Sequence, residues 1–166
     1  MSVVRAATGA DLAAVLLLQH ACHLEAHLES EACLRSMLER GCSLVAVSAG
    51  ADAAAPPSTL GYLLLHEGAE AALDAVLPPP SVRLPHASMF LHDCAVSPAA
   101  RGTGVARQLV EAALALASSR GARDVHLVAL AGTHGLWTRL GFEPAAGSDA
   151  ASYGPEATHM RKQLAV

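Results

Sequence analysis

The stretch LHDCAVSPAARGTGVA, residues 91–106, is the most informative part of this 166-residue chain. Its apolar strand pattern passes through Pro98 into a Gly-rich turn and then into a helix. Amides at a helix start lack intrahelical partners and lie at the positive end of the helix dipole, so they bind anions. Gly102 and Gly104 would let the backbone approach a phosphate without an intervening Cβ. Residues 101–106 are therefore a predicted cradle for a pyrophosphate.

Other Gly-containing motifs compete with this interpretation. A dinucleotide-binding fingerprint fails because Arg107 stands where the third Gly belongs, and a Walker A loop fails because no Gly-Lys-Ser/Thr follows. A turn that merely caps an ordinary helix stays open, since short Gly motifs often match by chance. The rest of the chain decides between a pyrophosphate cradle and a turn that only caps the helix.

Apolar periodicity predicts secondary structure on both sides of this unit. Before it, we expect a strand over residues 2–7, helices over 10–22 and 29–40, and strands over 43–47, 60–65 and 88–96. The segment TGAD, residues 8–11, is typical of a capping box. Proline predicts irregular loops over residues 51–58 and 74–86. After the turn, we expect a helix, a strand over residues 125–130, a helix over 133–139 and a strand over 158–164.

Length and charge bound the class of protein. The chain has 52% hydrophobic residues, which fits one compact domain over residues 1–166. The formal net charge is -4 and no run of Lys or Arg could neutralise successive phosphates, so nucleic-acid binding is disfavoured.

Cysteine usage and hydropathy indicate a reduced, cytoplasmic protein. Cys22, Cys33, Cys42 and Cys94 form no C-x-x-C pair, and the first residues carry a charge too early for a signal peptide. The longest strongly apolar stretch, residues 12–18, falls far short of the roughly 20 residues that cross a bilayer. We expect it to be a core helix, with no membrane partner.

Three segments resemble the GNAT superfamily of acetyltransferases. The turn RGTGVA, residues 101–106, resembles the family's Arg/Gln-x-x-Gly-x-Gly/Ala signature, and it follows a strand ending in AV, residues 95–96. The segment WTRLGF, residues 137–142, is similar to the Tyr-x-x-x-Gly-Phe end of the family's next helix. The segment VRAATGAD, residues 4–11, resembles the family's opening. These matches follow the family's order across nearly the whole chain.

The resemblance implies an α/β (α+β) fold with a mixed, mostly antiparallel sheet that is flanked by helices and splays open near Val96. Acetyl-CoA, as acetyl donor, would lie in the gap, and no metal is implied. The pantetheine arm would pair with strand backbone, and the pyrophosphate would meet the Gly-rich turn. The implied CoA-binding residues are Cys94, Ala95, Val96, Arg101, Gly102, Thr103, Gly104, Val105, Ala106, Arg107 and Trp137.

His92 is the first candidate base, because acetylation of an amine requires the ammonium to lose a proton. It lies two residues before Cys94, and its segment has a local resemblance to the arylalkylamine N-acetyltransferases, which implies this role. The alternative is a partly buried structural histidine. Asp93 is the second candidate: a regular strand would turn it to the opposite face, whereas a bulge would bring it into the site.

Trp137 departs from the family pattern. Many members carry a Tyr there that is thought to protonate the departing thiolate, and an indole donates a hydrogen bond without releasing a proton. Trp137 would then wall the pocket or serve as a core aromatic, and water, Tyr153 or no acid would handle the thiolate.

Further polar residues are weaker candidates. His20, His23 and His27 have spacing compatible with one helical face, but no obvious ligand completes a metal site, and under the resemblance one of them would touch the acceptor. Arg83 and His86, in the Pro-rich loop, could reach an acceptor carboxylate, although a solvent-exposed role is favoured.

The resulting hypothesis is an N-acetyltransferase that moves an acetyl group from acetyl-CoA to a primary amine of a small molecule by direct attack. We expect a monomer or homodimer. The alternatives are a catalytically silent CoA-binding sensor, a protein N-terminal or lysine acetyltransferase, and a structural module that binds nothing.

Overall fold

A computed structural model describes residues 1–49, 57–67, 87–146 and 150–165. Within these ranges, seven strands form one sheet in the order β1-β2-β3-β4-β5-β7-β6. The strands are β1 Ser2–Ala6, β2 Leu44–Ser48, β3 Thr59–Glu67, β4 Ser88–Val96, β5 Asp124–Ala129, β6 Glu143–Pro144 and β7 Thr158–Gln163. The helices are α1 Leu12–Cys22, α2 Glu31–Glu39, α3 Val105–Ser119 and α4 His134–Arg139. The predicted elements are confirmed within one or two residues, and β6 was not predicted.

The two faces of the sheet are covered by different helices, because each helix has one apolar side. On one face, Leu109 and Ala113 of α3 pack against Leu63 and Leu127 of the sheet. On the other face, buried residues of α1 and α2 pack against β2 and β3, among them Val15, Leu34, Val45, Tyr62 and Leu64. The result is a three-layer domain core with the sheet in the middle.

The sheet is mixed and opens in its middle, as predicted. Strands β4 and β5 are the parallel pair in an otherwise antiparallel sheet, joined by α3 as a crossover helix. They pair only from Ser88 with Asp124 to Leu91 with Leu127. Beyond those residues the two strands separate, so the opening includes Val96 and begins after Leu91.

A β-bulge lies in β4 where this separation begins. Leu64 pairs with Asp93 and Leu65 with Leu91, so His92 is an extra residue on β4. Asp93 therefore does not alternate with His92: both side chains contact the connection between α1 and α2. The expectation that a regular strand turns Asp93 to the opposite face is wrong, and the bulge alternative is correct.

The α1–α2 connection is held by its own polar contacts. Ser30 caps α2 by accepting the amide of Cys33, so the helix begins at Glu31 and not at residue 29 as predicted. The Gln19 side chain donates to the Glu29 carbonyl at 3.0 Å and accepts the Glu29 amide at 2.7 Å. Glu29 is therefore fixed outside the helix, facing the sheet.

Two other predictions concern the N-terminus and the loops. The capping box over residues 8–11 is confirmed, and its Asp11 carboxylate also pairs with Arg5 at 2.7 Å. Within the described ranges, no helix has the length and apolar character needed to span a membrane. The predicted loop over residues 74–86, with Arg83 and His86, and most of the loop over 51–58 lie outside the described residues.

Candidate active site

A cavity of about 900 Å³ lies where β4 and β5 separate. Its walls come from these strands, the start of α3, α4, the α1–α2 connection and residues 153–157. One end is the Gly-rich turn. His92 and Asp93 also line the cavity, together with Glu29 and His23, which contact them.

The Gly-rich turn is a backbone cradle. Gly104 is the N-cap of α3 with φ 89°, and Gly102 has φ 78°, values that favour glycine. A Cβ on either residue would meet no atom within 4 Å, so both face open space. Among the described residues, the amides of residues 105–107 have no backbone acceptor. This geometry fits a pyrophosphate bound by main-chain N–H groups.

The exposed edge of β4 continues the cavity from this cradle. Ser97 donates its amide to Leu60 of β3 at 2.9 Å. Because amides of an antiparallel strand point to alternate sides, those of Cys94 and Val96 point away from β3 into the gap. Burial raises the pKa of the Cys94 thiol to about 12, which keeps it protonated. The edge therefore offers main-chain groups, and not a thiolate, to a ligand.

His92 and Glu29 form a buried pair beside this edge. His92 Nε2 lies 2.8 Å from Glu29 Oε1, and the two side chains are only 4% and 6% exposed. A carboxylate accepts hydrogen bonds, so Nε2 carries the proton and Nδ1 the lone pair. Nδ1 is enclosed and has no hydrogen-bond partner in the part of the chain that is described. A buried orphan of this kind indicates a missing ligand or water.

Asp93 forms a second histidine–carboxylate pair. It accepts hydrogen bonds from the Tyr62 hydroxyl at 2.5 Å and from His23 Nε2 at 3.1 Å, and its other oxygen lies 2.9 Å from the same His23 nitrogen. The hydrogen bond to Asp93 raises the pKa of His23, although burial opposes it. Burial and the Asp93 charge raise the pKa of Tyr62, so its hydroxyl stays a donor.

Aromatic side chains complete the cavity. Trp137 is 8% exposed and meets Phe142 edge to face at 5.7 Å, so it lines the cavity and belongs to the core at once. Tyr153 also lines the cavity, and burial together with the Glu29 charge raises its pKa. Behind the site, His66 lies 5.8 Å from His92, and burial lowers the pKa of His66 to about 4.

Comparison with known proteins identifies the fold family. The family model described as "Acetyltransferase (GNAT) family" matches residues 59–142. The chain belongs to the GNAT acetyltransferases. Members of this family transfer acetyl groups from acetyl-CoA, so the protein is an acetyl-CoA-dependent N-acetyltransferase. No curated protein matches the sequence significantly.

Solved structures at low sequence identity share the GNAT fold of this chain. Ard1 from Thermoplasma volcanium is 16% identical with TM-score 0.72, and 99% of each chain is covered. The ribosomal-protein-S18-alanine N-acetyltransferase from Escherichia coli is 18% identical with TM-score 0.70, covering 100% of this chain and 96% of that one. The PaiA N-acetyltransferase from Thermoplasma acidophilum, in complex with coenzyme A, is 12% identical with TM-score 0.72 and 99% coverage of each chain.

The cavity brings together nearly all of the predicted site residues of this GNAT protein. With one exception, its lining includes all of them: His92, Asp93, residues 94–96, Trp137 and the residues of the Gly-rich turn. The exception is Thr103, whose hydroxyl donates instead to the Ala100 carbonyl at 2.7 Å.

The three early histidines do not share one helical face, because α1 ends at Cys22. His20 is exposed and lies off the cavity, whereas His23 and His27 line it. Among the described residues, no cluster of three or more His, Cys, Asp or Glu side chains is arranged to hold a metal.

Sequence reasoning missed Glu29 and Tyr62 as partners of the two candidate bases. The predicted helix over residues 29–40 includes Glu29. Ser30 is a typical N-cap residue, and a helix that begins after it leaves Glu29 outside. Nothing in the local sequence links Glu29 to His92, since 63 residues separate them.

Proposed function

We propose that this chain is one acetyltransferase domain over residues 1–166 that acetylates a primary amine of a small molecule by direct attack. The observation that carries the proposal is the buried His92–Glu29 pair in the wall of the cavity, in which the second ring nitrogen of His92 has no hydrogen-bond partner among the described residues. The membership of both β1 and β7 in one sheet supports a single domain.

The residues divide the reaction between them. The amides of residues 105–107 hold the pyrophosphate, and those of Cys94 and Val96 pair with the pantetheine arm. With both reactants held in the gap, attack becomes effectively unimolecular. Because Nδ1 of His92 is enclosed, the ring or the wall beside it shifts to admit the ammonium or a bridging water, whose proton then passes to Nδ1, and Glu29 stabilises the resulting imidazolium.

Asp93 is the second candidate base. Its carboxylate already accepts hydrogen bonds from Tyr62 and His23. Nδ1 of His92, in contrast, has no hydrogen-bond partner among the described residues. We therefore assign proton removal to His92 and leave Asp93 as the alternative that mutagenesis must separate.

Charge supports a cationic acceptor. The lining of the cavity includes three carboxylates, Glu29, Asp93 and Glu156. These carboxylates favour entry of a protonated amine. Similar structures act on different acceptors, since one is named for the alanine of ribosomal protein S18 and another was solved with L-2,4-diaminobutyric acid.

The test is acetyl-CoA consumption over a panel of arylalkylamines, polyamines, amino acids and peptides with free N-termini. Turnover with small amines above the peptides is the expected result. Preference for peptides would instead establish a protein acetyltransferase. Binding of acetyl-CoA without turnover of any acceptor would establish a CoA-binding sensor.

A further inference from the structure

Acetyl transfer leaves a CoA thiolate that has to be protonated, and several groups in the cavity are poor donors. The Trp137 indole does not release a proton in water. The pKa of Cys94 is raised to about 12, and that of Tyr153 is raised as well. A better donor is an imidazolium, which loses its proton near neutral pH.

Two hydrogen bonds, one from the His23 amide and one from the side chain of the preceding residue, hold His23 at the border of the gap. Its amide donates to the Gln19 carbonyl at 2.9 Å, which ends α1 at this residue. The preceding Cys22 thiol donates to the Val96 carbonyl at 3.4 Å, on the exposed edge of β4. The end of α1 is therefore attached to the strand that the pantetheine arm would follow.

The His23 side chain has one nitrogen bound and one available. Nε2 lies 2.9 Å from Asp93, which Tyr62 also holds. Among the described residues, Nδ1 has no hydrogen-bond partner. The imidazole lines the cavity and is 17% exposed, against 4% for His92. Asp93 thus orients a ring whose second nitrogen binds no other group within the described part of the chain.

We propose that His23 is the general acid of the reaction, and that its Nδ1–H protonates the CoA sulfur as the thioester C–S bond breaks. Asp93 is then a positioning residue for His23, with Tyr62 fixing Asp93. This inference rests on the proposed direct attack.

The proton transfers balance over one cycle. The ammonium gives one proton to His92, and the free amine forms the C–N bond. The C–S electron pair goes to sulfur, which takes the Nδ1 proton of His23. The nitrogen then loses its second proton, which restores the His23 imidazolium, and His92 releases one proton to solvent.

The surroundings of His23 set the direction of the pH dependence. Asp93 raises its pKa and burial lowers it, with a net rise. Other titratable groups lie where the end of α1 and the α1–α2 connection meet β3 and β4. They are Cys22, Glu29, Tyr62, His92 and Cys94. An acid works only while it is protonated, so kcat falls as the pH rises through the pKa of His23.

The experiment compares His23→Gln with the wild type in kcat against pH, with acetyl-CoA and 2-phenylethylamine or the preferred amine of the acceptor panel. We expect kcat to fall about 10²-fold and the alkaline decline to disappear. Exogenous imidazole should restore part of the rate in His23→Ala. His20→Gln, at an exposed site in the last turn of α1, is the matched control and should behave like the wild type.

Stabilisation by acetyl-CoA against heat shows that each variant is folded and binds the donor. The inference is overturned if His23→Gln keeps its rate, or if the rate falls while the alkaline decline remains and imidazole has no effect. A wild type that turns over no amine refutes the proposed function itself, which is a different result.

Discussion

His92 and Asp93 are consecutive residues of β4, and both side chains bind the α1–α2 connection. His92 meets Glu29 at 2.8 Å and Asp93 meets His23 at 2.9 Å. The bulge at His92 makes this possible by breaking the alternation of the strand. Two histidine–carboxylate pairs therefore lie side by side in the lining of the cavity.

Replacing His92 tests the base. His92→Ala should lower kcat about 10²-fold, as the loss of a general base typically does. Acetyl-CoA affinity, measured by calorimetry, should barely change. If His92→Ala keeps its rate while Asp93→Ala loses it, Asp93 is the base. If neither matters, the enzyme works mainly by holding the reactants together.

Replacing Glu29 tests how the base is oriented. In Glu29→Gln the side-chain amide can donate to His92 Nε2, which moves the ring proton to Nδ1 and removes the needed lone pair. We expect kcat to fall by about 10²-fold, as for loss of a general base, with little change in acetyl-CoA affinity. Glu25→Gln, an exposed carboxylate in the same connection, is the control. Equal rates for the two variants would remove Glu29 from the mechanism.

Paired glycine substitutions test the phosphate cradle. Gly104 and Gly121 have φ 89° and 79°, and a Cβ on either would contact nothing within 4 Å. Valine should therefore cost each protein a similar 1 to 2 kcal/mol, roughly, through backbone strain. Only Gly104→Val should lose the rise in Tm that acetyl-CoA and desulfo-CoA produce. Unchanged binding by Gly104→Val would refute the cradle.

A conservative change at Trp137 separates packing from proton transfer. Trp137→Phe keeps an aromatic ring against Phe142 and should cost about 1 to 2 kcal/mol of stability through lost volume. Since the indole supplies no proton, we expect kcat within about threefold of the wild type and an unchanged alkaline decline. A kcat reduced as strongly as that of a lost general acid would show that the indole N–H contributes to the transition state.

The sequence predicts the Gly-rich turn better than the contacts around His92 and Asp93, for a physical reason. The turn is one continuous segment whose glycines have an identifiable backbone role. The contacts of His92 and Asp93 join residues 63 and 70 positions apart. The bulge that aligns His92 with Asp93 leaves no mark in the string LHDCAV, because a regular strand would carry the same residues.

Buried histidines predict acid sensitivity. Burial lowers the pKa of His66 and His159 from 6.5 to about 4, and burial also lowers that of His126, which shares a 2.9 Å hydrogen bond with His159. The unfolded chain therefore binds protons more readily, and the free energy of unfolding falls as pH drops from 6.5 to about 4. For His66 alone the loss is about 3 kcal/mol.

Urea denaturation at several pH values measures this loss. His66→Leu should weaken the pH dependence by about one proton, whereas the exposed His20→Gln should leave it unchanged. An equally steep decline in His66→Leu would show that His66 is not among the titrating groups.

The separation of β4 from β5 leaves two strand edges inside one sheet, each with main-chain groups that the facing strand does not take up. Free edges of this kind are templates for aggregation with other chains. In the binding mode proposed above, the pantetheine arm pairs with β4 and would cover the free edge of that strand. Bound acetyl-CoA would then also remove a surface on which a strand of another chain could add.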